Sequence, residues 1–189
     1  MKRVFIIHGW EANPEMHWFF WLKKKLEEQG FKVEVPVMPN TMEPKVKEWP
    51  AHLAKIVGKL DEQTYFVGHS IGCQAILRYL AKGRRHRSGG VVLVAPWFKL
   101  TNLETEEEKM IAKPWLEEPI DFNKLKNSSK FIGIFSNNDP YVPLVNSEIL
   151  KKKLVAEIII IPNAGHFNFE DGFDQLPTAL NAVLKIARK

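Results

Sequence analysis

Apolar residues come in short runs along this chain, and longer amphipathic stretches lie between the runs. The strand-length runs cover residues 3–7, 31–37, 64–67, 90–95, 130–135 and 157–161. Several are nearly continuous in Val, Ile and Phe, as strands buried on both faces of a parallel sheet are. Helical spacing follows most of them. Residues 15–28 carry Met16, Phe19, Phe20 and Leu26 roughly on one face and stop at Gly30. Residues 44–60 carry Val46, Trp49, Leu53, Ile56 and Leu60, with Pro50 predicting a kink or a late start. Helices are also predicted over 71–82, 145–153 and 174–187, the last with Leu176, Leu180, Val183, Leu184 and Ala187 at helical spacing. Strand and helix alternating six times predict a doubly wound parallel sheet in one α/β domain spanning residues 1–189.

In such a sheet, ligands bind beyond the carboxyl ends of the strands. Four of those ends carry the polar parts of one catalytic device: His8-Gly9-Trp10, Gly68-His69-Ser70-Ile71-Gly72, Ser136-Asn137-Asn138-Asp139 and Asn163-Ala164-Gly165-His166. The second has the G-x-S-x-G pattern between a strand (TYFV) and a helix (QAILRYLA). A serine on such a turn sits on a strained backbone, with a helix N-terminus directed at the reacting centre. A hydroxyl needs an adjacent base to become a nucleophile, and His166 is the candidate. His52 falls in a helix and His86 in a basic loop; His69 is expected to point away from Ser70, and His8 to shape the neighbouring loop. Asp139 is the candidate for orienting the imidazole, although the Asp139-Pro140 pair could merely open a turn. Backbone N–H groups of Trp10 and Ile71 are the expected donors to a developing oxyanion.

These stretches resemble the small α/β-hydrolases of the retinoblastoma-binding-protein or YdeN-like serine hydrolase type. The similarity runs through residues 8–22, 35–44, 67–80, 91–97, 136–143 and 163–168, with HGW, His17-Trp18, Trp49 and the APW at 95–97 its more particular features. The order Ser70, Asp139, His166 is that of α/β-hydrolases. The resemblance implies a Ser–Asp–His triad on those residues. It also implies a three-layer minimal core, a six-stranded parallel sheet in the order 2-1-3-4-5-6 without the two leading antiparallel strands. Members act as esterases or peptidase-like hydrolases. The L-x-C-x-E motif that names the family's human-type member is absent, so that partner does not carry over.

Composition narrows the picture further. Lys and Arg number 27 against 22 Asp and Glu, a net charge of +5 that is largely clustered at Lys23–Lys25, Arg84–Arg87 and Lys151–Lys153. Without a nucleic-acid-binding motif, the clusters read as solvated faces or helix C-termini. A single cysteine, Cys73, excludes an internal disulfide; one turn after Ser70, it reads as a packing residue. The apolar run Val4–Ile7 is too short for a signal peptide or a membrane span, so a cytoplasmic location is expected. Residues 98–129, with a short helix from Leu103 to Ala112, offer only a partial cover. Trp10, Trp18, Trp97 and Trp115 are the candidate walls of an apolar pocket. The leading expectation is cleavage of a small-molecule carboxylic ester or activated amide through an acyl-enzyme on Ser70, with no metal or organic cofactor. A non-catalytic binding protein on the same fold is the alternative, and acyl transfer to another acceptor would share the same intermediate.

Overall fold

The computed structural model describes residues 1–82 and 87–188. Its elements are β1 (Arg3–Ile7), α1 (Phe19–Glu28), β2 (Lys32–Glu34), α2 (Glu48–Val57), β3 (Thr64–His69), α3 (Ile71–Lys82), β4 (Gly90–Val94), α4 (Glu106–Glu117), α5 (Phe122–Leu125), β5 (Phe131–Ser136), α6 (Val145–Leu154), β6 (Glu157–Ile161) and α7 (Pro177–Ala187). The six strands form one sheet in the order β2-β1-β3-β4-β5-β6, and every neighbouring pair is parallel. The predicted order and pairing are therefore observed.

Burial follows position in the sheet. Every residue of β3, β4 and β5 is buried. The edge strands are not: β2 pairs over only three residues, and β6 leaves Ile160 half exposed. α1 and α7 pack together on one face, and α2, α3, α5 and α6 line the other. α3 buries ten of its residues, because neighbouring helices flank it while the sheet lies beneath it.

Several boundaries differ from the sequence pattern, each for a local reason. α1 begins at Phe19, not near residue 15, because His17 turns the chain into the left-handed region (φ 53°). Phe20 then faces solvent, and Leu22 joins Phe19 and Leu26 in the core. α2 starts late, at Glu48, which places Pro50 in its first turn, where a missing N–H costs nothing. α4 runs from Glu106 to Glu117, beyond the predicted stop at Ala112 and through Pro114. Its start is fixed by a capping box between Thr105 and Glu108. Its end is fixed by tertiary bonds. Arg78 on α3 donates to the Trp115 and Glu118 carbonyls at 2.7 Å each, and the Trp115 indole donates to Pro44 O at 2.8 Å. These contacts outweigh the backbone bond that a proline forfeits.

Lys25 and Lys151–Lys153 lie in last helical turns, where cations complement the helix dipole. Arg84, Arg85 and His86 lie outside the described residues. Among the described residues no helix is long and apolar enough to cross a membrane.

Candidate active site

The strand ends converge on one cavity of about 380 Å³, lined by Ser70, Ile71, Trp10 and His166 among others. Ser70 leaves β3 with φ 51°, a conformation that costs most side chains about 1–2 kcal/mol. Its flanking glycines show why the turn takes this form. A Cβ at Gly68 would lie 2.9 Å from the Cys73 backbone, and one at Gly72 would lie 2.4 Å from Ile7 O. The chain crosses itself too closely for any side chain at either place. Ser70 N–H bonds Val94 O at 2.9 Å, tying the turn to β4.

His166 and Asp139 meet at the ends of the outer strands. His166 Nδ1 lies 2.7 Å from Asp139 Oδ2, with the Asp139 side chain almost wholly enclosed. The other carboxylate oxygen accepts the N–H groups of Tyr141 and Val142 at 2.9 Å each. Asp139 thus opens a turn and also holds the imidazole, the two roles the sequence left open. No hydrogen bond joins the Ser70 hydroxyl to His166 Nε2, although both residues line the same cavity. Such contacts commonly close only when substrate is bound.

His8 is fully buried and acts on the loop beside this cavity. Its Nε2 accepts from Met38 N–H at 3.1 Å, which leaves the proton on Nδ1, 2.9 Å from Gly9 O. Burial pushes its pKa down, so this neutral form is favoured. A planar trans peptide then directs Trp10 N–H away from His8. Among the described residues, neither Trp10 N–H nor Ile71 N–H meets an acceptor.

Two supporting residues were missed in the sequence. His69 does not simply point away. Its Nε2 donates to His166 O at 2.8 Å, so it holds the backbone of the candidate base. Burial drives its pKa well below the usual histidine value, with the nearby His166 adding to the effect. Asp171, five residues further along the same loop, accepts His166 N–H at 2.8 Å. Nothing in a linear pattern signals either contact.

The four candidate tryptophans divide. Trp10 and Trp97 line the cavity, with Leu100, Leu103 and Tyr141. Trp18 and Trp115 do not. Both are fully buried, the Trp18 indole donating to Phe167 O at 3.1 Å and the Trp115 indole to Pro44 O. Indole N–H groups here fasten loops: Trp49 bonds Pro39 O at 2.8 Å, and even Trp10 bonds Met42 O at 3.1 Å. Cys73 is buried with Sγ 3.3 Å from Val94 O, and burial pushes its thiol pKa up, as suits a packing residue.

A parallel sheet, a left-handed serine at a strand-to-helix turn and a histidine–carboxylate pair at the same rim define an α/β-hydrolase arrangement. The sequence agrees: the chain belongs to the serine hydrolase family, whose model matches residues 4–185. It is 35% identical over 185 residues to the YdeN protein of Bacillus subtilis, covering 96% of this chain and 94% of that one. It is 27% identical over 169 residues to the serine hydrolase RBBP9 of Rattus norvegicus, covering 88% and 86%. The crystal structure of the B. subtilis ydeN gene product superposes with a TM-score of 0.92 at 33% identity, over the whole of both chains.

Proposed function

We propose that this protein is a carboxylesterase-like serine hydrolase that cleaves a small ester or activated amide through an acyl-enzyme. One observation carries the reading: a strained serine and a histidine, from strands far apart in sequence, line a single cavity, and a carboxylate enclosed behind that histidine meets its Nδ1. His166 Nε2 takes the proton of Ser70 as Oγ attacks the carbonyl carbon. Asp139 keeps the imidazole in the Nδ1–H tautomer and stabilises the imidazolium. The carbonyl oxygen gains negative charge between Trp10 N–H and Ile71 N–H. Each such donor contributes about 3–4 kcal/mol in the transition state by comparison with known cases. Collapse returns the proton to the leaving oxygen or nitrogen. Water, deprotonated by the same imidazole, then cleaves the acyl-serine.

His8 sets the direction of one oxyanion donor through the Gly9–Trp10 peptide. Residues 98–129 act as a partial cover on a single domain, contributing Leu100 and Leu103 to one wall. Trp10, Trp97, Leu100 and Leu103 favour an apolar acyl group of modest size, and Glu11, Glu108 and Glu170 on the same lining disfavour an anionic one. Intact mass after exposure to a fluorophosphonate tests the reading. A single adduct on the wild type, absent from Ser70→Ala, is expected. No adduct on a folded wild-type protein would favour a binding role over catalysis.

A further inference from the structure

Ser136, Asn137 and Asn138 precede Asp139 and take no part in the chemistry above. Each nevertheless accepts a backbone N–H from the loop that carries His166. Asn163 N–H bonds Asn137 Oδ1 at 2.7 Å, Ala164 N–H bonds Ser136 Oγ at 3.0 Å, and Gly165 N–H bonds Asn138 Oδ1 at 2.9 Å. The Ser136 hydroxyl donates onward to Asn138 Oδ1 at 2.7 Å. The next residues on both segments are Asp139 and His166, joined through Nδ1. Four consecutive side chains of one loop therefore meet four consecutive residues of the other. Parallel pairing of β5 with β6, with Ser136 opposite Ile161, brings the loops out of the sheet side by side.

The loop after β6 needs such support. Asn163 and Phe167, neither of them glycine, have positive φ, at 56° and 60°. Backbone of that kind persists only where its surroundings over-determine it. Ala164 is buried, so its N–H would otherwise lack a partner.

We infer that Ser136, Asn137 and Asn138 are positioning residues, a side-chain ladder that acts through the 163–166 backbone to set the His166 ring against Asp139 and Ser70. The inference rests on the reading of His166 as the general base. Asn138 is its pivot. One oxygen takes two bonds, a single residue away from Asp139 and from His166. A neutral group suits that position, because a carboxylate there would add a second negative charge near the imidazole and favour its protonated form.

The test compares wild type with Asn138→Ala, Asn138→Asp and Ser136→Ala in the full chain. It reads the rate of Ser70 labelling by a fluorophosphonate across pH and the downfield proton resonance of His166 Nδ1–H. Thermal melts confirm folding. Asn138→Ala is expected to slow labelling about 10–100-fold and to broaden or abolish the resonance, since small misplacements of a reacting group have effects of that size. Asn138→Asp keeps the acceptor, so it is expected to recover most of the rate while moving the acidic limb of the profile to higher pH. A folded Asn138→Ala with unchanged rate and resonance would overturn the inference. If Asn138→Ala does not fold, an Asn138→Asp profile that coincides with wild type overturns it instead. Wild type that keeps the resonance but is never labelled would refute the nucleophile reading alone, and the resonance in the variants would still decide the ladder.

Discussion

The strain at Ser70 can be measured by replacing it in two ways. Ser70→Ala and Ser70→Gly both delete the hydroxyl, which makes no hydrogen bond to the described residues. They differ in how they tolerate φ 51°. Alanine keeps the penalty of a left-handed residue, about 1–2 kcal/mol, and glycine removes it. Glycine also loses about 0.5–1 kcal/mol through the freedom of its unfolded chain. The glycine variant is therefore expected to be more stable than the alanine variant by roughly 0.5–1 kcal/mol. For a chain of this length that corresponds to a melting temperature about 1–4 °C higher. Paired thermal melts would read the difference, with loss of fluorophosphonate labelling checking that both variants lack the proposed nucleophile. An exposed α2 control, Ala54→Gly, should move the other way by about 1 kcal/mol, because its helical backbone carries no strain. If the glycine variant at 70 melted below the alanine variant, a strained nucleophile turn would be the wrong account of this site.

Gly72→Ala should cost about 3 kcal/mol or more, since the new methyl would press on Ile7 O and His8 O; urea denaturation would show a lower midpoint. His69 makes stability depend on pH. Its folded pKa lies well below the usual 6.5, so the unfolded chain binds the extra proton. Stability is then fully present above about pH 6.5 and falls as pH drops below it, by up to about 1.4 kcal/mol per pH unit. Melts between pH 8 and 5 should show this slope, and it should flatten in a folded His69→Gln. Trp115→Phe should lower stability by about 1–3 kcal/mol by stranding Pro44 O, while the fluorophosphonate labelling rate stays at the wild-type level. A slowed rate would return Trp115 to the pocket wall.

The sheet was legible because a fully buried parallel strand leaves a continuous apolar run. β1 and β6 match their predicted spans, and α3 matches residue for residue. Legibility fell wherever a tertiary bond outweighed local pattern. β2 ends at Glu34 because it is an edge strand running into Pro36. α4 passes through Pro114 because Arg78 and the Trp115 indole hold its far end. Among the site candidates, those on a G-x-S-x-G turn or at a strand end could be found from position alone. The residues that hold them could not. His69, Asp171 and the Ser136–Asn138 ladder bond backbone groups 5 to 97 residues away, and such contacts leave no period in the sequence. Tryptophan misled for a related reason. An aromatic residue near a strand end suggests a pocket, but Trp18 and Trp115 use the indole N–H to tie loops and the ring to fill the core.

β6 is the last strand along the chain and forms one edge of the sheet. During synthesis the Ser70 turn can close once β4 is available, because Val94 accepts its N–H. On the roles proposed above, the base follows 166 − 70 = 96 residues later. A nascent chain would therefore carry a formed but unreactive serine until the final strand is laid down. The same geometry holds in the finished protein. Detaching one peripheral strand would silence the nucleophile while the centre of the sheet stayed folded, so loss of activity should precede global unfolding as the protein is heated.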